Sequence, residues 1–539
     1  MYSATMSTSL PRVIIIGAGS RGNAYSRAIH KSGDGIIAAV AEPHKFKRQL
    51  FGKTYIWGKE KPEEGQEFDG WKEFIEWELQ RREMAANGEA VPLGVDGVFV
   101  CTLDNQHKEI IIALAPLKLH IMSEKPLATT LDDCISIYAS LLHAKGDPSL
   151  FTIGHVLRYS PFNTTLRKLV VDDRAIGEVM SMEHTEPVGW EHFSHSYVRG
   201  NWRKESSTAP SLLTKSCHDM DFILWILSSP RRTSERPPHI PSSVTSAGSV
   251  KYFKKSRKPI LAGSATNCVS CPAERTCQYS AKRLYHDKGL VQNDGGSRWA
   301  ALLVAPEMED CLSNNDLTGA QRMLLERLTE DYDVDITPAA KIDSRPWFGR
   351  CVYEASNDVN DEQVVTITWD DNPLPLSDAI PDREEALKGR SAKTAIFHMV
   401  AWTEKTCERR SRIYGSRGEI EADSTTIRVF DFASNQSKTY TPIQLGGGHG
   451  GGDSGLAAQF LAGIDAVKNR GWTVARAQRE VIGCTLEEVI RSHAMVFCAE
   501  ESRKAKRVVD WNEWWEANIA SRLVNLEDGT TKNGNGYLS

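Results

Sequence analysis

The sequence predicts an α/β half built on a parallel sheet, followed by a second half of different design, and three observations predict the first. Residues 12–16, RVIII, form a short β-branched apolar run; GAGSRG follows at once; and NAYSRAIHKSG reads as a helix. The strand–helix alternation then continues. IIAAVAE is a strand ending at Glu42, WKEFIEWELQRREMAANG a helix from Trp71, DGVFVCT a buried strand from Asp96, KEIIIALAP a helix from Lys108, and HIMSE a strand from His120. Strands that alternate with helices pair in parallel.

The first strand and its turn carry the chemistry. Gly17, Gly19 and Gly22 have GxGxxG spacing: the first permits the tight turn, the second lets backbone approach a pyrophosphate, the third seats the helix on the strand. Ser20 and Arg21 lie inside that turn, where the helix N-terminus offers unpaired N–H groups to phosphate. Glu42, twenty residues after Gly22, is placed to accept hydrogen bonds from ribose hydroxyls, which favours NAD. Arg21, Lys45, Lys47 and Arg48 are cations that a 2′-phosphate could use, so NAD and NADP both remain open. Ligands of parallel sheets sit beyond the carboxyl ends of the strands, so Thr102, Asp104, Asn105 and His107 on one side, and Glu124, Lys125 and Pro126 on the other, should face the dinucleotide. Residues 1–150 are therefore read as a Rossmann dinucleotide-binding domain.

Composition bounds the rest. A chain of 539 residues, 40% hydrophobic and 25% charged, can bury two or three cores. With 65 Lys plus Arg against 70 Asp plus Glu, a net charge of −5 and no long basic run, nucleic acid is excluded as a partner. The polar start, MYSATMSTSLPRV, and the lack of any apolar run of roughly 18 residues predict a cytoplasmic protein with no membrane span. Eleven cysteines in so long a chain are expected to be reduced thiols rather than a disulfide framework.

IIIGAGSRG, AVAEP, CTLDNQH, SEKP, GHVLRYSP and CHDMD occur in the order and spacing of the Gfo/Idh/MocA oxidoreductases, which the chain resembles from about residue 12 to 230. Farther on, NDVNDEQ from Asn357 and HGGGD from His449 resemble a subgroup labelled streptomycin-biosynthesis-like. The resemblance implies that an open, mostly antiparallel β-sheet, here residues 151–525, packs over the cofactor as the substrate domain, with a homo-oligomer formed through that sheet. It further implies an EKP lysine, Lys125, and a downstream histidine, His218, at the reaction centre. The family commonly has an aspartate four residues before that histidine; here Thr214 stands there, followed by Lys215, with Asp219 and Asp221 crowding the same turn as an altered relay.

The chemistry agrees with these residue types. Removing hydride from a secondary alcohol needs a base for the hydroxyl proton, a role a histidine fills near neutral pH, and a cation to stabilise charge on oxygen. No metal is required. Arg158, Tyr159, Lys215 and Asp221 are candidate substrate contacts. The expected activity is NAD(P)-dependent oxidoreduction of a sugar, cyclitol or related polyol. Two alternatives use the same fold: glycoside cleavage by transient oxidation and elimination with retained NAD, and a non-catalytic dinucleotide-binding regulator.

Surplus length is expected as insertions at about 51–92 and 230–345, with a disordered tail at 526–539. SSPRRTSERPPHIPSS reads as an exposed loop. Cys268, Cys271 and Cys277 have C-x2-C-x5-C spacing that could give three thiolates to a structural zinc, with Cys311 or Cys351 as a fourth. GGGHGGG leads into a helix that Asp453 or Ser454 could cap, and is read equally as a ligand-facing loop or a flexible connection with His449 exposed. The helices after it, through AMVFCAEESRKAKRV, should return to the dinucleotide-binding domain.

Overall fold

A computed structural model describes residues 9–143, 148–292, 297–445 and 448–523, so the expected tail at 526–539 lies outside the described residues. Two sheets organise the chain. The first joins β1 (Arg12–Ile16), β2 (Ile36–Ala41), β3 (Glu67–Phe68), β4 (Gly97–Val100), β5 (His120–Ser123) and β6 (Phe151–Ile153) in the order β3-β2-β1-β4-β5-β6. Every pair in it is parallel. β4 is buried along its whole length, and β1 and β2 from their second residue on, because helices cover both faces of the sheet, and that is why these strands read as unbroken apolar runs.

The second sheet contains β7 (Val179–Pro187), β8 (Ser243–Ser249), β9 (Glu362–Trp369), β10 (Lys393–Val400), β11 (Arg410–Gly415), β12 (Gly418–Ala422), β13 (Ile427–Asp431), β14 (Gln436–Tyr440) and β15 (Val509–Asp510). Their order is β14-β13-β12-β11-β7-β10-β9-β8-β15. Only the β7–β10 pair is parallel, so the sheet is open and mostly antiparallel as expected. Burial in β9 and β10 alternates residue by residue, the signature of a sheet with one face on a core and the other outward.

Each sheet has its own core, and the C-terminal helices join them. The helix Gly452–Lys468 packs Leu456, Phe460, Leu461 and Ile464 into the first core, where the Phe460 ring meets Phe99 edge-on at 5.1 Å. The helix Leu486–Ala505 gives Val489 and Ile490 to the first core and Ala494, Met495 and Cys498 to the second. These helices thus return to the dinucleotide-binding domain as expected.

The segments read as insertions are partly framework. Within 51–92, β3 pairs with β2 and Trp71–Ala86 is the helix that follows it, so this stretch completes a third strand–helix unit. β3 is only two residues long, too short to announce itself in sequence. Within 230–345, β8 pairs with β9 along its whole length, and β6 carries the first sheet past residue 150. The remainder of the second segment forms a small core of its own around Leu284, Tyr285, Met308 and Leu324.

Candidate active site

The glycine turn has the shape that its spacing implies. Gly17 has φ of 97°, and a Cβ there would lie 2.5 Å from the Cys101 carbonyl oxygen; a Cβ on Gly22 would lie 2.1 Å from that of Gly17. Around Gly19, by contrast, a Cβ would meet nothing within 4 Å. The helix Ser20–Ser32 starts at that open space with no side-chain cap and no acid in its first turn, which leaves its leading N–H groups to an anion. Ser20 is exposed there. On the other flank, the Thr102 hydroxyl is buried without a hydrogen-bond partner. An open space over the second glycine, a bare helix N-terminus and an orphaned hydroxyl fit a dinucleotide.

Glu42 is latched to this turn: its carboxylate accepts the Ala18 N–H at 2.9 Å and the His44 N–H at 2.9 Å, leaving lone pairs directed outward. Of the cations expected near it, Arg48 is buried and bound to Glu67 at 2.7 Å and to Asp69. Arg21 turns the other way. It donates to Glu124 at 2.8 Å and grips both oxygens of Asp453 at 2.8 and 3.2 Å, while the Tyr25 hydroxyl donates to the same Glu124 oxygen. Burial alone would raise Asp453, but His449 and Arg21 outweigh it and hold the carboxyl at about 2. Asp453 therefore does not cap its helix, which starts on Gly451 with no side-chain cap. His107 is buried between two carbonyls, Pro126 at 2.7 Å and Thr102 at 3.4 Å, and ties together the loops after β4 and β5 instead of pointing outward.

Lys125 reaches the turn that leads into the His218 helix. Lys125 Nζ donates to the Thr214 carbonyl at 2.8 Å and lies 5.4 Å from the centre of the Trp202 ring, whose N–H is held by Asp104 at 2.7 Å. His218 lies in the first turn of the helix Cys217–Leu227 and is 4% exposed, with Nδ1 unpartnered. Burial first, then the charge of Lys125, holds its pKa well below the ordinary histidine value, so the ring is neutral at pH 7. Two further rings flank it, His155 at 6.0 Å and His449 at 5.9 Å. His155 in turn stacks on His493 and sits 3.0 Å from Asp221.

The acids and Lys215 near His218 are committed elsewhere. Arg158 forms a two-pronged, fully buried pair with Asp221 at 2.7 and 2.8 Å, and the Tyr159 hydroxyl lies 3.3 Å from Thr152, so these three support the site from behind. Asp219 faces β7, bound by His184 at 2.8 Å and Arg409 at 2.9 Å. Lys215 is buried against Glu186 at 3.0 Å and the Cys407 sulfur at 2.9 Å. A cavity of about 510 Å³ opens beside this network, lined among others by Ser160, Asn163, His184, Cys407, Arg409 and His449.

Sequence reasoning passed over His155, although it lies in the quoted GHVLRYSP, and Trp202, which no motif flags. For His449, the contact with His218 favours the ligand-facing reading of the glycine loop. Among the described residues no three His, Cys, Asp or Glu side chains come together to hold a metal. Cys268 instead accepts an N–H from the buried Arg199 at 3.3 Å, Cys311 contacts Met323, and all the cysteines are free thiols.

Residues 11–146 match the family described as oxidoreductases with an NAD-binding Rossmann fold, Gfo/Idh/MocA. The 2,7-anhydro-N-acetylneuraminate hydratase of Escherichia coli (strain K12) is 30% identical over 154 residues, 29% of this chain and 37% of that protein. An inositol 2-dehydrogenase of Saccharopolyspora erythraea is 26% identical over 134 residues, 25% of this chain and 35% of that protein. These alignments thus span little more than a third of either relative. In fold, a levoglucosan dehydrogenase solved with NADH and levoglucosan aligns over 93% of this chain and 99% of its own, with a TM-score of 0.55 at 14% identity. Over residues 11–146 the chain is thus similar to the Gfo/Idh/MocA oxidoreductases.

Proposed function

We propose that this protein is an NAD-dependent dehydrogenase that moves hydride between nicotinamide and a secondary hydroxyl of a sugar, cyclitol or related polyol. The observation that supports the reading is the bond from Lys125, just past β5, to the Thr214 carbonyl in the turn before the buried His218, whose pKa the Lys125 charge helps lower. The nicotinamide supplies the hydride acceptor; everything else is the work of side chains. His218 takes the hydroxyl proton, the Lys125 ammonium stabilises the negative charge that grows on oxygen, and Trp202 covers Lys125 on its free side. Asp221, through His155, lies behind the histidine and stabilises the cation it becomes. Arg158 and Tyr159 position this assembly, while the polar wall of the cavity by His449 receives the substrate hydroxyls. The preference for NAD rests on Glu42, whose carboxylate repels a 2′-phosphate, and on the engagement of Arg21 by Glu124 and Asp453.

The relatives support the substrate class: one is named for inositol, and the structural neighbour is solved with levoglucosan. Incubation with NAD or NADP and a panel of polyols and aldoses, read as formation of reduced nicotinamide, tests the proposal. Reduction of NAD by one of them is expected. Turnover with no net change in the cofactor would instead favour transient oxidation, and dinucleotide binding with no turnover the regulator. The same reading retains a homo-oligomer through the outer face of the second sheet, where Met180 and Ile396 are exposed; light scattering on the purified chain checks it.

A further inference from the structure

A second cavity, of about 400 Å³, lies at the far end of the helix that carries His218. His218 lies in the first turn of that helix and Leu227 closes it, so the two regions are separated by about 14 Å along the axis at 1.5 Å per residue. Three chain segments wall the cavity: the turn before β7, the stretch after the helix, and the approach to β10. Six of the lining side chains are Lys or Arg and two are Glu.

Four of those cations have carboxylate partners. Arg174 pairs with Glu178, Arg236 and Lys388 share Glu385, and Arg231 stands 3.6 Å from Asp172 just outside. The remaining two, Arg390 and Lys393, are each 7% exposed and have no carboxylate among the described ion pairs. Backbone carbonyls engage them only in part: Lys393 donates to Leu227 at 3.2 Å and Gly389 at 2.8 Å, and Arg390 uses Nε and Nη1 on Asn372 and Pro237 at 2.7 Å each. Capping the helix C-terminus accounts for the bond to Leu227. It does not account for two buried, unpaired cations facing an open cavity ringed by four more. Burial, followed by Arg390 and Arg174, brings Lys393 down to about 7, and burial with Arg236 lowers Arg390. Both shifts run in the direction of positive charge held without a counter-ion.

We propose that this cavity is a second ligand site, which takes a small multiply charged anion of the phosphate or sulfate class, free or as a sugar monoester. Arg390 and Lys393 form its floor and Arg231, Arg236 and Lys388 its rim, an arrangement that lets one tetrahedral anion receive charge-assisted bonds from several sides. A volume of about 400 Å³ leaves room for a sugar beyond the anion.

Calorimetric titration of the full chain with sodium sulfate, sodium phosphate and glucose 6-phosphate tests this, with ionic strength balanced by chloride and NAD absent or saturating. One saturable site that persists with NAD is expected, weakened about tenfold in Arg231→Gln/Lys388→Gln, whose side chains are half-exposed and outside the fold's framework. Lys393→Met should abolish it while NAD still binds. Tighter binding of the ester than of the free ions would identify a phosphorylated sugar as occupant, and equal binding the anion alone. Displacement by NAD would place the anion at the glycine turn and overturn the proposal. So would unchanged affinity in the rim variant, or no saturable binding in the wild type.

Discussion

Gly19 and Gly22 stand three residues apart, yet the same kind of substitution should act on them in opposite ways. At Gly19, φ is −77° and ψ −162°, an extended conformation open to branched residues, and a Cβ meets nothing within 4 Å. Gly19→Val should therefore leave stability within about 0.5 kcal/mol of the wild type. Its methyls would nevertheless occupy the space through which pyrophosphate reaches the helix N–H groups. Losing one or two hydrogen bonds to a charged oxygen costs about 3 kcal/mol, roughly a hundredfold in Kd. At Gly22, a Cβ would sit 2.1 Å from a backbone oxygen that cannot swing aside, so Gly22→Ala must separate helix from strand at a cost of about 1–3 kcal/mol. NAD titration by calorimetry and urea unfolding of both variants measure the two effects separately. A Gly19→Val protein that binds NAD within threefold of the wild type, or a Gly22→Ala protein of unchanged stability, would refute this account of the turn.

Lys125→Met and His218→Asn should each lower kcat by roughly a hundredfold with NAD affinity nearly retained, and the double variant should lose less than the product, because both groups serve one proton transfer; steady-state rates on the best polyol decide it. Glu42→Ala should weaken NAD more than NADP, measured as the ratio of the two Kd values, and an equal loss would remove Glu42 from the ribose site. The neutral ring of His493 accepts the Leu127 N–H at 2.8 Å and donates to the Val489 carbonyl at 2.8 Å, and burial brings its pKa down to about 3. The unfolded chain takes that proton near pH 6.5, so stability present at pH 7 is lost as pH falls from there towards 3, at up to about 1.4 kcal/mol per pH unit. His493→Gln should flatten the pH dependence of urea unfolding between pH 6 and 4 by about that slope, and an unaltered slope would contradict the neutral-ring assignment.

The first sheet was legible because its determinants are local. An apolar run, a glycine turn and a helix sit within about twenty consecutive residues, and each strand of that sheet longer than three residues is buried on both faces, which writes it into the sequence as a block. β3 and β8 were not legible: two residues cannot establish a period, and SVTSAGS carries only Val244 as a clear apolar member. The site divides in the same way. Lys125 and His218 belong to motifs, whereas the partners of Arg158, Asp219 and Lys215 lie up to 330 residues away in sequence and follow from topology alone. Arg21 is instructive. Its position in the turn suggested a 2′-phosphate contact, but the chain direction at Ser20 carries it inward, to carboxylates of which Asp453 lies 432 residues away.

That inward turn has a consequence for how the site is assembled. One guanidinium holds the glycine turn, the Glu124 that precedes Lys125, and the Asp453 that holds His449 at 3.1 Å, so the cofactor cradle, the lysine loop and the glycine loop by His218 are braced against one another. Glu124 is 5% exposed and Asp453 7% exposed. Buried charges of this kind add little net stability, but removing one partner strands the others at a cost of about 3–5 kcal/mol. What such a brace provides is registry: His449 can sit beside His218 only when the helix Gly452–Lys468 has docked on the first domain and Arg21 has closed on it. The glycines on either side of His449 then serve a definite end, since they let the loop reach His218 while its anchor, four residues on, stays fixed against Arg21.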